Sequence, residues 1–360
     1  AYETRAQIYT QQGEIESAIA DWDMVNKLTP KEEGAWLKNA DLNIQIEDYK
    51  KASSKYAGYL NIETKDLVVY DKQIACLKKI EDWEKALFYA KKKLDVKETP
   101  ETHFEIANLQ YILKNYTAAE ASYKEAIKES PNNIDYHNGL ALSFYYQDRY
   151  DAAIGECNIV LRSDKSNKVA YLTRANSYHK KIEYSYAIND MSKVIVMYKS
   201  DDDYTDNLNF RGDLYLEYSQ HMNAIGDYSA VINKDPKNSY ALYKRAQAYE
   251  EIDNEVKAQE DLLRIIGLSA GGVVVADAML SDSKSRLFEL RRETDAPSVH
   301  VINDNVKDKT LRVNNETEMV DLNLQVQDDN KIESLVIDGN GIEVNSNSGS
   351  LELTQSISVL

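Results

Sequence analysis

Residues 6–30 read AQIYTQQGEIESAIADWDMVNKLTP, and in them Ala6, Tyr9, Gly13, Ala18, Trp22 and Pro30 set the skeleton that decides the fold. Tyr9 lies on one helix, Gly13 in a turn, and Ala18 and Trp22 on a second helix. Pro30 ends that helix, because a proline inside it would lack its N–H and clash with the preceding turn. Stepping forward by about 34 residues finds the skeleton again. The second copy carries Trp36, Ala40, Ala52 and Tyr56; the third, more divergent, carries Tyr70, Leu77, Trp83, Ala86 and Ala90. The fourth reads Ala107, Tyr116, Ala119, Tyr123, Ala126 and Pro131, the fifth Leu140, Ala141, Phe144, Tyr150, Ala153 and Cys157. The sixth reads Tyr171, Ala175, Tyr178, Tyr184, Ala187 and Met191, the seventh Leu208, Gly212, Tyr215, Ala224, Tyr228 and Pro236. Leu242, Ala246, Tyr249, Ala258 and Leu262 form the eighth.

Each recurring site has a steric reason. A small residue on the first helix of a pair meets a small residue on the second, so the two backbones approach closely. Large aromatics then fill the space between one pair and the next, as an α-solenoid requires. Pro30, Pro131 and Pro236 share the repeat-end site, and Pro100 lies at a repeat junction. Two departures stand out. Ile74 replaces the first small residue of the third copy, which predicts slightly wider helix packing there. Three extra residues around Asp201-Asp202-Asp203 lengthen the step between the sixth and seventh copies, which predicts a bend or hinge.

These residues resemble the tetratricopeptide-repeat family over residues 1–268. The resemblance implies an all-α solenoid, a superhelix of about eight helix-turn-helix repeats. The chain starts inside a repeat, so further repeats are expected upstream. Residues 269–296 are expected to form a capping helix and linker, with Met279, Leu287 and Leu290 at helical spacing. Beyond Pro297 the period changes to two. Val320, Leu322, Leu324 and Val326 alternate with polar residues, and Leu335 and Ile337 lead through Asp338-Gly339-Asn340-Gly341 into Ile342 and Val344, a hairpin. With Val299, Val301 and the run from Leu351 to Val359, this predicts about five short strands in a small all-β sandwich over residues 297–360. Pro297, Ile302, Asp328, Ile332, Val336 and Gly339 resemble the Ig-like modules that follow repeats in bacterial surface and peptidase proteins. On that resemblance one or two strands are expected after Leu360, and an unpaired sheet edge invites self-association.

Composition narrows the partners. Lys+Arg is 43 against Asp+Glu 60, a net charge of −17 with a pI near 4.9. Such a surface repels nucleic-acid phosphate and anionic lipid. No apolar run approaches the roughly 20 residues of a membrane span. Cys76 and Cys157 fall in different repeats, too far apart to bridge, and read as buried thiols. They leave the compartment open; a periplasmic or cell-surface setting fits the Ig-like resemblance. Oligomeric state is not legible.

The search for chemistry returns no catalytic, cofactor or metal site. His103, His137, His179, His221 and His300 stand singly, without a metal-ligand pair. There is no phosphate loop and no nucleophile elbow. Function is expected instead on the concave surface lined by the first helix of each pair, at positions 2, 5, 9 and 12 of the repeats. These deliver Asn108, Tyr111, Asn138, Tyr145, Asn176, His179, Asn209 and Tyr243. Asn can hydrogen-bond an extended backbone as donor and acceptor, and Tyr adds rigid apolar area with a polar tip. Lys72 and Lys79 lack the companions that some family members use to hold a C-terminal carboxylate. The leading expectation is a non-catalytic scaffold for a partner protein or peptide. The alternatives are the regulatory front of a larger enzyme, such as a caspase-like peptidase, and a structural part of a bacterial cell-envelope or secretion complex. Little Pro with abundant Lys, Asn, Ile and Tyr points to a low-GC bacterium of the Bacteroidetes kind.

Overall fold

The first helices of the third to sixth and the eighth copies begin where a short polar side chain holds a free backbone N–H, and each second helix begins where the turn has reversed the chain. A computed structural model describes residues 1–294 and the strand segments 298–302, 310–312, 319–327, 334–337, 340–342 and 350–358; side chains are described through residue 290. The chain divides into two compact units, 1–199 and 200–360. In the first unit the pairs are α1 (Tyr2–Gln12) with α2 (Ile15–Leu28), α3 (Glu33–Gln45) with α4 (Tyr49–Leu60), and α5 (Leu67–Lys79) with α6 (Trp83–Val96). Then come α7 (Pro100–Ile112) with α8 (Tyr116–Glu129), α9 (Ile134–Tyr145) with α10 (Tyr150–Ser163), and α11 (Lys168–Lys180) with α12 (Tyr184–Met197). The second unit holds α13 (Tyr204–Glu217) with α14 (His221–Lys234), α15 (Ser239–Glu250) with α16 (Glu255–Ala270), and α17 (Asp277–Thr294). Side chains of Asp66, Thr99, Asn133, Asn167 and Asn238 accept from backbone N–H groups at first-helix starts; Asp48, Asp82 and Asn254 do so for second helices.

The small sites are the core. Ala6, Ala40, Ala107, Ala141, Ala175 and Ala246 on first helices are wholly buried, as are all the second-helix alanines from Ala18 to Ala258. Four residues beyond each second-helix alanine sits a buried filler: Trp22, Tyr56, Tyr123, Cys157, Met191, Tyr228 or Leu262. In the third copy the volumes are exchanged. Ile74 brings the bulk, and the filler site holds wholly buried Ala90 in the same cluster. Volume-conserving swaps of this kind are the ones cores tolerate.

A charge clamp joins first and second helices in part of the array. Arg174 bonds Asp190 through Nε at 2.7 Å and Nη2 at 2.8 Å. Arg211 with Asp227 and Arg245 with Asp261 repeat the geometry in the second unit, and Arg5 with Asp21 opens the first. Burial opposes the Arg174 charge, but its bonds to Asp190 outweigh that and hold its pKa above the ordinary value. In the fourth and fifth copies the arginine site is apolar, Ile106 and Leu140.

The turn between paired helices needs one residue at positive φ. Gly13 supplies it at 77° in the first copy, at no steric cost. The other seven copies use Glu47, Glu81, Lys114, Asp148, Ile182, Ser219 and Asp253, at φ between 54° and 62°. Ile182 is β-branched and 71% exposed, so it bears left-handed strain with little burial in return. The Ile182→Gly variant is therefore expected to be more stable by about 1 kcal/mol, because left-handed geometry costs a β-branched residue about 1–2 kcal/mol. Chemical denaturation checks this; a loss of stability would mean that the Ile182 side chain contributes more than the strain costs.

In the second unit α17 packs on α16, and Arg286 of α17 pairs with Glu250 of α15 at 2.7 Å. The three extra residues expected to bend the array, Asp201-Asp202-Asp203, lie at the division between the units. Beyond α17 the backbone forms β1 (Ser298–Ile302), β2 (Thr310–Arg312), β3 (Met319–Gln327), β4 (Ser334–Ile337), β5 (Asn340–Ile342) and β6 (Ser350–Ser358). They pair antiparallel in the order β2-β1-β4-β5 and, separately, β3-β6, with Val320 opposite Ile357 and Val326 opposite Leu351. Pro297, Asp328, Ile332, Asp338, Gly339, Val344 and Val359, which the Ig-like, hairpin and terminal-strand readings used, lie outside the described residues.

Candidate partner-binding groove

The register places the candidate residues on first helices: Asn108 and Tyr111 on α7, Asn138 and Tyr145 on α9, and Asn176 and His179 on α11. Asn209 on α13 and Tyr243 on α15 belong to the second unit. The asparagines are engaged locally. Asn108 Oδ1 accepts from the Tyr123 hydroxyl at 2.6 Å, and Asn176 Nδ2 donates to the Leu172 carbonyl at 2.8 Å. Asn138 is buried; its Nδ2 donates to Asn167 Oδ1 at 3.3 Å, while its Oδ1 has no partner. Asn209 Oδ1 is likewise buried without a partner. Tyr243 donates to Asp282 Oδ2 at 2.7 Å and lies beneath the Arg286 guanidinium at 5.2 Å.

Two of the candidate tyrosines meet in one aromatic surface across the fourth and fifth repeats. Tyr116 and Tyr146 stack with ring centres 5.0 Å apart and planes 12° from parallel. Tyr111 stands edge-on to both, and Tyr145 stands edge-on to Tyr146 and reaches Tyr150. Burial and the adjoining Tyr146 and Tyr116 push the Tyr111 pKa up, and a bond to Asp148 pushes that of Tyr150 up to about 12. Burial likewise raises Tyr145, so the hydroxyls of Tyr111, Tyr145 and Tyr150 stay neutral near neutral pH. Tyr146 is half exposed. His179 sits with its ring centre 6.1 Å from that of Tyr184.

At the front of the array, where Lys72 and Lys79 read only as an incomplete carboxylate clamp, the fold forms two cavities. A cavity of about 370 Å³ is lined by Gln7, Thr10, Trp22, Lys38 and Asp41, and a second of about 440 Å³ by Asp41, Ile44, Tyr56, Lys72 and Lys79. Lys38 lies 4.7 Å over the Trp22 ring and Lys72 lies 5.7 Å over the Tyr56 ring, while Lys72 also pairs with Asp41 at 2.8 Å. The recurrence of Lys38 and Lys72 in the same register, each 16 residues after its aromatic, was the available signal. Both thiols are buried, and burial pushes Cys76 up to about 11 and Cys157 up to about 12, so both stay protonated. Among the described residues no group of His, Cys, Asp and Glu is arranged to hold a metal ion, and no helix is long and apolar enough to cross a membrane.

Comparison with known proteins bears on the helical array. The tetratricopeptide repeat family model matches residues 104–168, most of the fourth repeat and all of the fifth. A curated relative, tetratricopeptide repeat protein 37 of Xenopus laevis, is 25% identical over 188 residues, which cover 41% of this chain and 12% of that protein. The C-terminal part of a TPR repeat-containing protein from Cytophaga hutchinsonii superposes with a TM-score of 0.56 at 14% identity, covering 68% of this chain and 98% of that one. A tetratricopeptide repeat protein from Parabacteroides merdae gives 0.44 at 16% identity, covering 69% and 97%. The fourth and fifth repeats thus match the tetratricopeptide repeat model, and the helical array is a solenoid that shares its fold with the Cytophaga structure.

Proposed function

We propose that this chain is a non-catalytic scaffold that holds a partner protein or peptide along the first helices of its repeats. The observation that carries this is the tyrosine surface of Tyr111, Tyr116, Tyr145, Tyr146 and Tyr150. Repeat packing uses Tyr116 and Tyr150 at one recurring site, but Tyr146 is half exposed and serves no recurring packing site. Tyrosine gives large rigid contact area at low entropic cost, which suits a recognition surface. Asn108, Asn138 and Asn176, on α7, α9 and α11 of the same unit, supply polar contacts to an extended chain. The strands beyond residue 297 are read as an Ig-like module, supported by their antiparallel pairing, and composition supports a bacterial source.

The test must spare the packing role of Asn108. Asp41 and Asp213 accept from Tyr56 and Tyr228 at the same register site, so Asn108→Asp keeps an acceptor for Tyr123. Combined with Asn138→Ala, Asn176→Ala and Asn209→Ala, it is expected to reduce partner recovery in a pull-down at least tenfold with helix content unchanged. Lost hydrogen bonds at about 0.5–1.5 kcal/mol each are ample for that. Equal recovery by variant and native protein would move the site off these helices.

A further inference from the structure

In the second unit a cavity of about 460 Å³ is lined by Leu216, Ser219, His221, Gln247, Glu250 and Glu251, with Arg286. Three of these residues, on α14, α15 and α17, carry buried polar atoms with no hydrogen-bond partner: His221 Nδ1, Glu250 Oε1 and Arg286 Nη1. Buried polar atoms of this kind are rare in native proteins, and the two among them that can accept, His221 Nδ1 and Glu250 Oε1, call for a ligand that donates. The local charge decides its sign. Arg286 is the one cation lining the cavity; it binds Glu250 Oε2 through Nη2 at 2.7 Å and lies 3.7 Å from Asp282. Glu251, exposed at the C-cap of α15, adds a further carboxylate. With Glu250 and Asp282 beside the guanidinium and Glu251 also on the cavity wall, the local charge is negative.

We propose that this cavity receives the cationic side chain, lysine or arginine, of a partner peptide. The incoming N–H groups donate to Glu250 Oε1 and to His221 Nδ1, and Glu251 balances the charge at the mouth. Leu216 gives the apolar wall along which a four-carbon stem lies while its charged head reaches polar ground. Gln247 and Ser219 add an amide and a hydroxyl that suit the fork of an arginine. A basic segment is also what an acidic chain of net charge −17 draws by long-range attraction. This site rests on the scaffold reading above and names the chemistry of one residue of its partner.

The test uses the full chain with 15N-labelled histidine, whose five imidazoles report separately on each region. Acetyl-Gly-Arg-Gly-amide is expected to shift the His221 resonances saturably and leave those of His179 in place. Acetyl-Gly-Glu-Gly-amide is expected to bind at least tenfold more weakly. Glu251→Gln, an exposed change that leaves the Arg286–Glu250 pair intact, is expected to weaken the arginine peptide about tenfold, and Glu251→Arg to abolish the shift. No movement of His221, or equal movement with the glutamate peptide, would overturn the proposal. A shift at His179 alone would overturn this site while leaving the scaffold reading intact, whereas His221 responding in a protein whose groove variant still recovers its partner would uphold the site and count against the groove.

Discussion

Ala153→Trp and Ala187→Trp are each expected to lower the melting temperature by many degrees. Ala153 is wholly buried in a cluster with Ala107, Ala119, Tyr123, Leu140 and Phe144, and Ala187 is wholly buried at the same site one repeat later. At these sites the second helix meets the first with no room for a side chain beyond a methyl group. Overpacking a core typically costs about 1–3 kcal/mol, and an indole forced between two backbones belongs at the top of that range. Thermal denaturation followed by circular dichroism reads the effect. An unchanged melting temperature in both variants would remove the assigned register.

Removing one member of the charge clamp should cost as much or more. In Asp190→Ala the Arg174 guanidinium, whose side chain is 15% exposed, loses the carboxylate that accepts two of its bonds. An uncompensated buried charge of this kind costs about 3–5 kcal/mol. The chain itself shows the alternative, because the fourth copy places Ile106 and Ser122 where the sixth has Arg174 and Asp190. The double variant Arg174→Ile with Asp190→Ser is therefore expected to recover most of the stability lost in Asp190→Ala. If the double variant is less stable than the single one, the clamp is a net source of stability rather than one of two equivalent packing solutions.

The repeat skeleton was legible because its small and aromatic sites are fixed by helix contact and survive as letters. Other features of the same repeats were not. The left-handed turn residue could be read only at Gly13, since glycine alone advertises positive φ; Glu47 or Ile182 at the same site carries no such mark. Ile74 read as a disruption because its compensation, Ala90, lies on the other helix of the pair. The spacing that unites Arg174–Asp190, Arg211–Asp227 and Arg245–Asp261 was present in the sequence, but the second to fifth copies hold Asn39, Gln73, Ile106 and Leu140 at the arginine site, so it does not announce itself as periodic. The strand β2 has three residues, too few to alternate. At the groove, register alone selected Tyr111 and Tyr145, whereas Tyr146 falls outside the selected positions and emerged only from its stacking on Tyr116. The cavity of the second unit depends on Arg286, which lies on α17, beyond the last copy of the skeleton.

Site-specific photo-crosslinking bears most directly on the claim that first helices hold the partner. A benzophenone side chain placed at Tyr146, half exposed in the tyrosine surface, is compared with one at Phe88, equally exposed on the second helix α6. The scaffold account predicts a covalent adduct with the partner from residue 146 and none from residue 88. An adduct from residue 88 with none from residue 146 would contradict it.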